Sequence, residues 1–168
     1  MFKGTSASAG IGIGKAVIVE EAELVITRNE VADAEGEIQR FRGALEKTIA
    51  ATQKMADDLA SRVGEKEAEI MQGHMMLLSD PMLTGEIESS IRNDKVNSEF
   101  AIENVCSMYA DMFASMGDEL MQQRATDMRD IKVRMQRTLM GLESVDVSLL
   151  PKGSILVAKD LTPSMTAG

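Results

Sequence analysis

Apolar side chains recur at steps of three or four along the first half of the chain: Ile38, Phe41, Leu45, Ile49, Met55, Leu59 and Val63, with one longer step after Ile49. That pattern marks one face of a long helix from about Glu30 to Arg62, spanning roughly 45–50 Å at ~1.5 Å per residue. Gly64 interrupts it, and a second helix runs from Glu65 to about Leu78. Asp80-Pro81 is a start signal, because the carboxylate can cap free N–H groups and proline fits the first turn. The third helix reaches about Asn93 and carries Leu83, Ile87 and Ile91. Asn97-Ser98 opens a fourth, with Ile102, Val105, Tyr109, Met112 and Met116 on its face and Gly117 at its end. A fifth, from about Glu119, carries Leu120, Met128, Ile131, Met135 and Leu139 and stops at Gly141. Lys132, Arg134 and Arg137 near its C-terminus suit the negative end of the helix dipole. Short connections between long helices predict antiparallel neighbours, hence a bundle of αα-hairpins.

Strand and turn signals flank this block. Residues 1–28 hold Gly4, Gly10, Gly12 and Gly14, followed by the strand-like Lys15-Ala16-Val17-Ile18-Val19. Residues 142–168 return to turns and a short strand, Ser154-Ile155-Leu156-Val157-Ala158. Two distant strands bracketing a helical unit (residues 29–141) predict a mostly α chain in which a helical domain is inserted into a sheet. Strands without the rest of their sheet are expected to be loosely held, with exposed edges.

Composition narrows the function. The chain of 168 residues is 44% hydrophobic and 27% charged, an ordinary globular balance. Its single Cys106 excludes an internal disulfide, and no apolar run approaches a membrane span. A soluble, cytoplasmic protein without membrane insertion is expected. The net charge of −9 repels phosphate backbones, and 3% aromatic residues with no Trp leave little for base stacking, so nucleic acid is not an expected partner. Methionine is abundant at 14 residues. Flexible thioethers fill irregular cores and also make adaptable binding surfaces.

Catalytic motifs are scarce. Gly10-Ile11-Gly12-Ile13-Gly14-Lys15 lacks the earlier glycine and the following Ser or Thr of a phosphate loop, since Ala9 and Ala16 stand there. Glycines that let strands turn and pack closely explain it better. His74 is the only histidine; no Cys or His partners stand at metal-ligand spacing, and no G-x-S-x-G elbow exists. A partly buried structural or interface histidine is expected. Glu65, Glu67 and Glu69 spread around their helix and form no general acid–base pair. Residue chemistry alone describes a binding domain with no catalytic residues, no metal site and no cofactor.

Four segments together resemble the N-terminal region of Enzyme I, the phosphoenolpyruvate–protein phosphotransferase of the bacterial phosphotransferase system. They are Ser6 to Ala16, Gly73 to Leu78, Arg124-Ala125-Thr126-Asp127-Met128-Arg129-Asp130-Ile131, and Ile155 to Ser164 with its Asp160-Leu161-Thr162-Pro163-Ser164 run. They occur in the family's order and at similar spacing across essentially the whole chain. The resemblance implies a four-helix domain of two αα-hairpins that binds the phosphocarrier HPr, inserted into a phosphohistidine α/β domain that is incomplete here. It also implies an enzyme that passes phosphate from phosphoenolpyruvate to a histidine and then to HPr for sugar uptake. A C-terminal barrel in that family binds phosphoenolpyruvate and magnesium and dimerises.

On this resemblance the active histidine lies beyond Gly168, and His74 aligns with a helical-domain histidine instead of the nucleophile. The fragment alone is therefore expected to be inactive and monomeric, with magnesium and the homodimer belonging to the full-length enzyme. Glu65, Met76, Leu77 and Arg124 carry over as the HPr surface, the apolar pair forming a desolvated patch and the charged pair setting register. Lys66 and Met82 stand where better-known members have acids, and Met165 departs from the acid of the Thr-Pro-Ser-acid-Thr motif. The alternatives are an Enzyme I-like paralogue of the nitrogen or dihydroxyacetone system, or a non-enzymatic helical adaptor. Nitrogen paralogues carry a sensory domain ahead of this region, whereas here the motif begins at the initiator Met, which favours the sugar system.

Overall fold

The computed structural model describes residues 5, 8–19, 23–62, 64–142, 147, 150–159 and 161–166. Val63, Asp160 and the Glu65 side chain lie outside the described residues. The elements run β1 (Ala16–Val19), α1 (Ala34–Arg62), α2 (Glu65–Leu78), α3 (Pro81–Asp94), α4 (Ser98–Ser115), α5 (Glu119–Met140), β2 (Ile155–Ala158) and α6 (Pro163–Thr166). The chain is mostly helical, and among the described residues its sheet is one parallel pair, with Ala16 opposite Ile155 and Val19 opposite Ala158.

Local signals set most boundaries. Asp80 accepts the Met82 N–H at 2.8 Å and Pro81 occupies the first turn of α3. Gly141 takes the left-handed conformation at φ 66°, and the Leu142 N–H returns to the Arg137 carbonyl at 2.9 Å, closing α5. The start of α1 differs from the expectation. Glu30 does not begin the helix; it forms an antiparallel bridge with Val96, and α1 opens after Asp33, whose carboxylate accepts the Gly36 N–H at 2.9 Å. Asn97 uses its side chain on the Asn29 N–H, so the first free N–H of α4 is taken instead by the Glu37 carboxylate, 2.7 Å from the Ser98 nitrogen.

Charge pairs report how the helices run. Arg42 meets Glu88 and Arg92 meets Glu35, so α3 is antiparallel to the first half of α1. Further along, Ala56 of α1 clusters with Met71 of α2, which makes α2 and α3 one interrupted arm along α1. Lys132–Glu103 and the Gln136 amide on the Glu99 carbonyl set α5 antiparallel to α4. Arg134 donates to Thr52 at 2.7 Å and joins α5 to α1. The four arms are thus α1, α2–α3, α4 and α5, two αα-hairpins around a core that includes Ile38, Phe41, Leu83, Ile87, Ile91, Ile102, Met128, Ile131 and Met135.

Several expected core positions face water. Met112, Met116 and Leu120 are exposed where α4 gives way to α5. On α1 the buried positions after Phe41 are Ala44, Thr48, Thr52 and Ala56, while Leu45 and Ile49 are only partly buried. Thr48 and Thr52 tolerate burial because each hydroxyl donates to the carbonyl four residues earlier. Lys132, Arg134 and Arg137 are not solvated partners of the helix dipole. Lys132 pairs with Glu103 at 2.7 Å, and Arg134 and Arg137 are buried.

The two ends come together despite their separation in sequence. β1 and β2 pair with each other, and a Cβ on Gly14 would run into the Gly153 carbonyl, so the close backbone approach expected of these glycines occurs there. The last described turn returns to the bundle. Asp130 of α5 accepts the Ser164 N–H at 2.9 Å and its hydroxyl at 2.7 Å, and Met165 is buried beside it. Among the described residues no helix is long and apolar enough to cross a membrane.

Candidate docking site

Helix α2 turns Met71, His74 and Leu78 into the protein, a spacing of three and four that fills its inner face. Met76, two positions past His74 and so about 200° around the helix, must then point outward. It is 68% exposed. Leu77 is half-buried and packs against the main core. Gly73 shares the flank of Met76 and Leu77, being three and four residues earlier. Its missing side chain leaves room for Arg124, since a Cβ there would come within 2.8 Å of the Arg124 Nη1. The backbone of Glu65 lies two turns further along the same flank, ~12 Å away at the rise of a helix.

Met76, Leu77 and Arg124, expected together from the sequence, therefore do meet on one flank of α2. What holds Arg124 was not foreseen. Its Nη1 lies 3.8 Å from Asp127 Oδ2, one turn on along α5. The other oxygen, Oδ1, lies 3.3 Å from His74 Nε2. An ionised carboxylate only accepts hydrogen bonds, so Nε2 carries the proton in this contact. His74 Nδ1 has no hydrogen-bond partner among the described residues, and the ring is completely buried. His74 is thus a fully buried structural histidine, more deeply placed than the partly buried one expected. The opposite charges of Arg124 and Asp127 at i and i+3 were a visible local signal. The contact between His74 and Asp127, 53 residues apart, had none.

Burial pushes the Cys106 thiol up to about 12, so it stays protonated at neutral pH. Among the described residues no three His, Cys, Asp or Glu side chains gather to hold a metal ion. The arrangement offers an exposed thioether, a half-buried leucine and a guanidinium 3.8 Å from a nearly buried carboxylate, a set suited to docking.

Residues 3–124 match the family described as PEP-utilising enzyme, N-terminal. Over 166 residues the chain is 39% identical to the phosphoenolpyruvate-protein phosphotransferase of Bacillus subtilis (strain 168), covering 99% of this chain and 29% of that protein. The enzyme of the same name from Listeria monocytogenes is 40% identical over the same shares. The chain thus spans under a third of the length of these relatives. A solution structure of an Enzyme I protein superposes with a TM-score of 0.87 at 37% identity, covering 99% of this chain and 68% of that one. The N-terminal domain of "Enzyme 1 - Nitrogen" superposes at 0.71 with 24% identity, over 91% and 63% of the two chains, a likeness of fold alone. With the family match running through most of its length, and relatives named for phosphoenolpyruvate-dependent transfer aligned over nearly all of it, the chain belongs to the PEP-utilising enzyme, N-terminal family.

Proposed function

We propose that this chain is the HPr-docking part of a sugar-system Enzyme I, which moves phosphate from phosphoenolpyruvate through a histidine to HPr. The observation that carries this reading is the α2 flank, where exposed Met76 and half-buried Leu77 stand beside an Arg124 held by Asp127. The apolar pair supplies a patch that a partner desolvates, and the Arg124 guanidinium beside it orients an acidic or carbonyl acceptor on the partner. Residues 29–141 serve as the docking domain, and 1–28 with 142–168 as pieces of the phosphohistidine domain. The protein works in the cytoplasm.

Phosphoryl transfer belongs to other parts of the enzyme. Magnesium would lower the barrier by neutralising charge on the transferring group. The described residues offer no donor cluster for it, so no step is assigned to a metal here. His74 is enclosed and bonded to Asp127, which leaves no approach in line with a phosphorus atom.

An NMR titration with cognate HPr tests the docking reading: signals around 73–82 and 124 should move, and unmoved signals there would dispose of it. Mixed with phosphoenolpyruvate, magnesium and HPr, the chain should yield no phospho-HPr. An acid-labile phosphate on the chain that vanishes in His74→Ala would overturn the assignment of chemistry elsewhere.

A further inference from the structure

The described methionines grade from the core to the surface, with Met108 at 55% and Met116 at 53% below the two most exposed. Met71, Met128 and Met135 are at most 1% exposed, whereas Met76 and Met82 stand at 68% and 67%, the two most exposed thioethers among the described residues. These two flank the break between α2 and α3. The backbone between them is tied down by Ser79 N–H to Met75, Asp80 N–H to Leu77, and the Asp80 carboxylate on the Met82 N–H. Both side chains are therefore largely exposed on a junction held by these bonds, one of them inside the proposed docking flank.

We propose that Met76 and Met82 are sulfoxidation sites through which a peroxide-class oxidant turns docking off. The inference rests on the docking reading above. In the reaction the thioether sulfur attacks one peroxide oxygen, the O–O bond breaks and an S–O bond forms. Sulfur is oxidised by two electrons, the peroxide is reduced, and the second oxygen leaves as water or an alcohol after taking up a proton. The product is a polar, chiral sulfoxide in place of a flexible apolar group. A partner that desolvates this flank would then enclose an S–O acceptor without a donor, which opposes association. Enzymatic reduction of the sulfoxide reverses the change.

The test treats the whole chain with hydrogen peroxide and maps oxygen addition by peptide mass spectrometry. Met76 and Met82 should be oxidised well before Met71, Met128 and Met135. Affinity for cognate HPr, measured by calorimetry, should fall roughly tenfold and return after methionine sulfoxide reductase treatment. A Met76→Leu/Met82→Leu double variant, compared only with itself before and after peroxide, should keep its own starting affinity. The proposal is overturned if the buried methionines oxidise as fast, or if the double variant loses affinity as the parent does. Equal binding by treated and untreated chain overturns the switch alone. An untreated chain that does not bind HPr overturns the docking reading and the switch with it.

Discussion

Asp127 Oδ1 lies 3.3 Å from His74 Nε2, joining the middle of α5 to the inner face of α2, while the other oxygen of the same carboxylate faces Arg124. One nearly buried acid thus ties a core histidine to a surface guanidinium, and the position of the proposed docking residue depends on the core. Removing either buried partner should destabilise the fold. His74→Ala and Asp127→Ala should each cost about 2–4 kcal/mol, through a cavity in the first case and an abandoned ring N–H in the second. Urea unfolding measures this, and a loss under about 0.5 kcal/mol would contradict the role given to the pair.

Gly73→Ala separates the core from the surface. The added methyl group would stand 2.8 Å from the Arg124 Nη1, so the guanidinium must move. Helix propensity favours Ala over Gly by up to ~1 kcal/mol, so stability should hold or rise slightly. HPr affinity should fall nevertheless. Unchanged affinity would mean that the place of Arg124 does not matter for docking.

Neighbouring substitutions at Met76 and Leu77 should behave differently. Met76 is largely in solvent, and Met76→Ala should leave stability within ~0.5 kcal/mol while weakening docking by about 1–2 kcal/mol. Leu77 packs on the core, so Leu77→Ala should also lower fold stability, by ~1–3 kcal/mol. Thermal melts beside HPr titrations would show the split, and equal effects of the two on stability would refute it.

Asp130 should act as a latch on the C-terminal turn. Asp130→Ala removes both bonds to Ser164 and should cost about 1–3 kcal/mol. Amide exchange should accelerate over residues 161–166 with little change in α4 or the rest of α5. Faster exchange throughout the bundle would argue that Asp130 supports the core generally.

Acid should weaken the bundle through Glu37 and Glu103. Burial alone would push both carboxyls up, but bonds from Arg40 and Ser98 to Glu37, and from Lys132 and Gln136 to Glu103, hold them below the ordinary 4.5. A carboxylate depressed by folding stabilises fully above its unfolded value, and the contribution disappears as pH falls through the lower folded value. Stability should therefore decline below about pH 4.5, and Glu37→Gln should flatten that decline. A variant with the parent's acid dependence would exclude Glu37 as a cause.

Where the helices start and stop was readable from the residues themselves. Asp80-Pro81 begins α3 and Gly141 ends α5 because each acts on N–H or carbonyl groups within a few positions. Likewise Leu83, Ile87 and Ile91 announce one buried stripe, and all three are buried. The motifs around Gly73 and Arg124 also pointed to the family that the comparisons establish.

Tertiary structure alone decided which of the periodic positions are covered. Met112, Met116 and Leu120 continue the apolar rhythm of α4 and α5 but face water, whereas Thr48 and Thr52 interrupt that of α1 and are buried. It likewise brought Asp127 to His74, Asp130 to Ser164 and Arg134 to Thr52, pairs 34 to 82 residues apart. Periodicity fixes the direction of a side chain around its own helix. Whether that direction meets a neighbour depends on where rigid helices cross and where they end, which no local run of residues encodes.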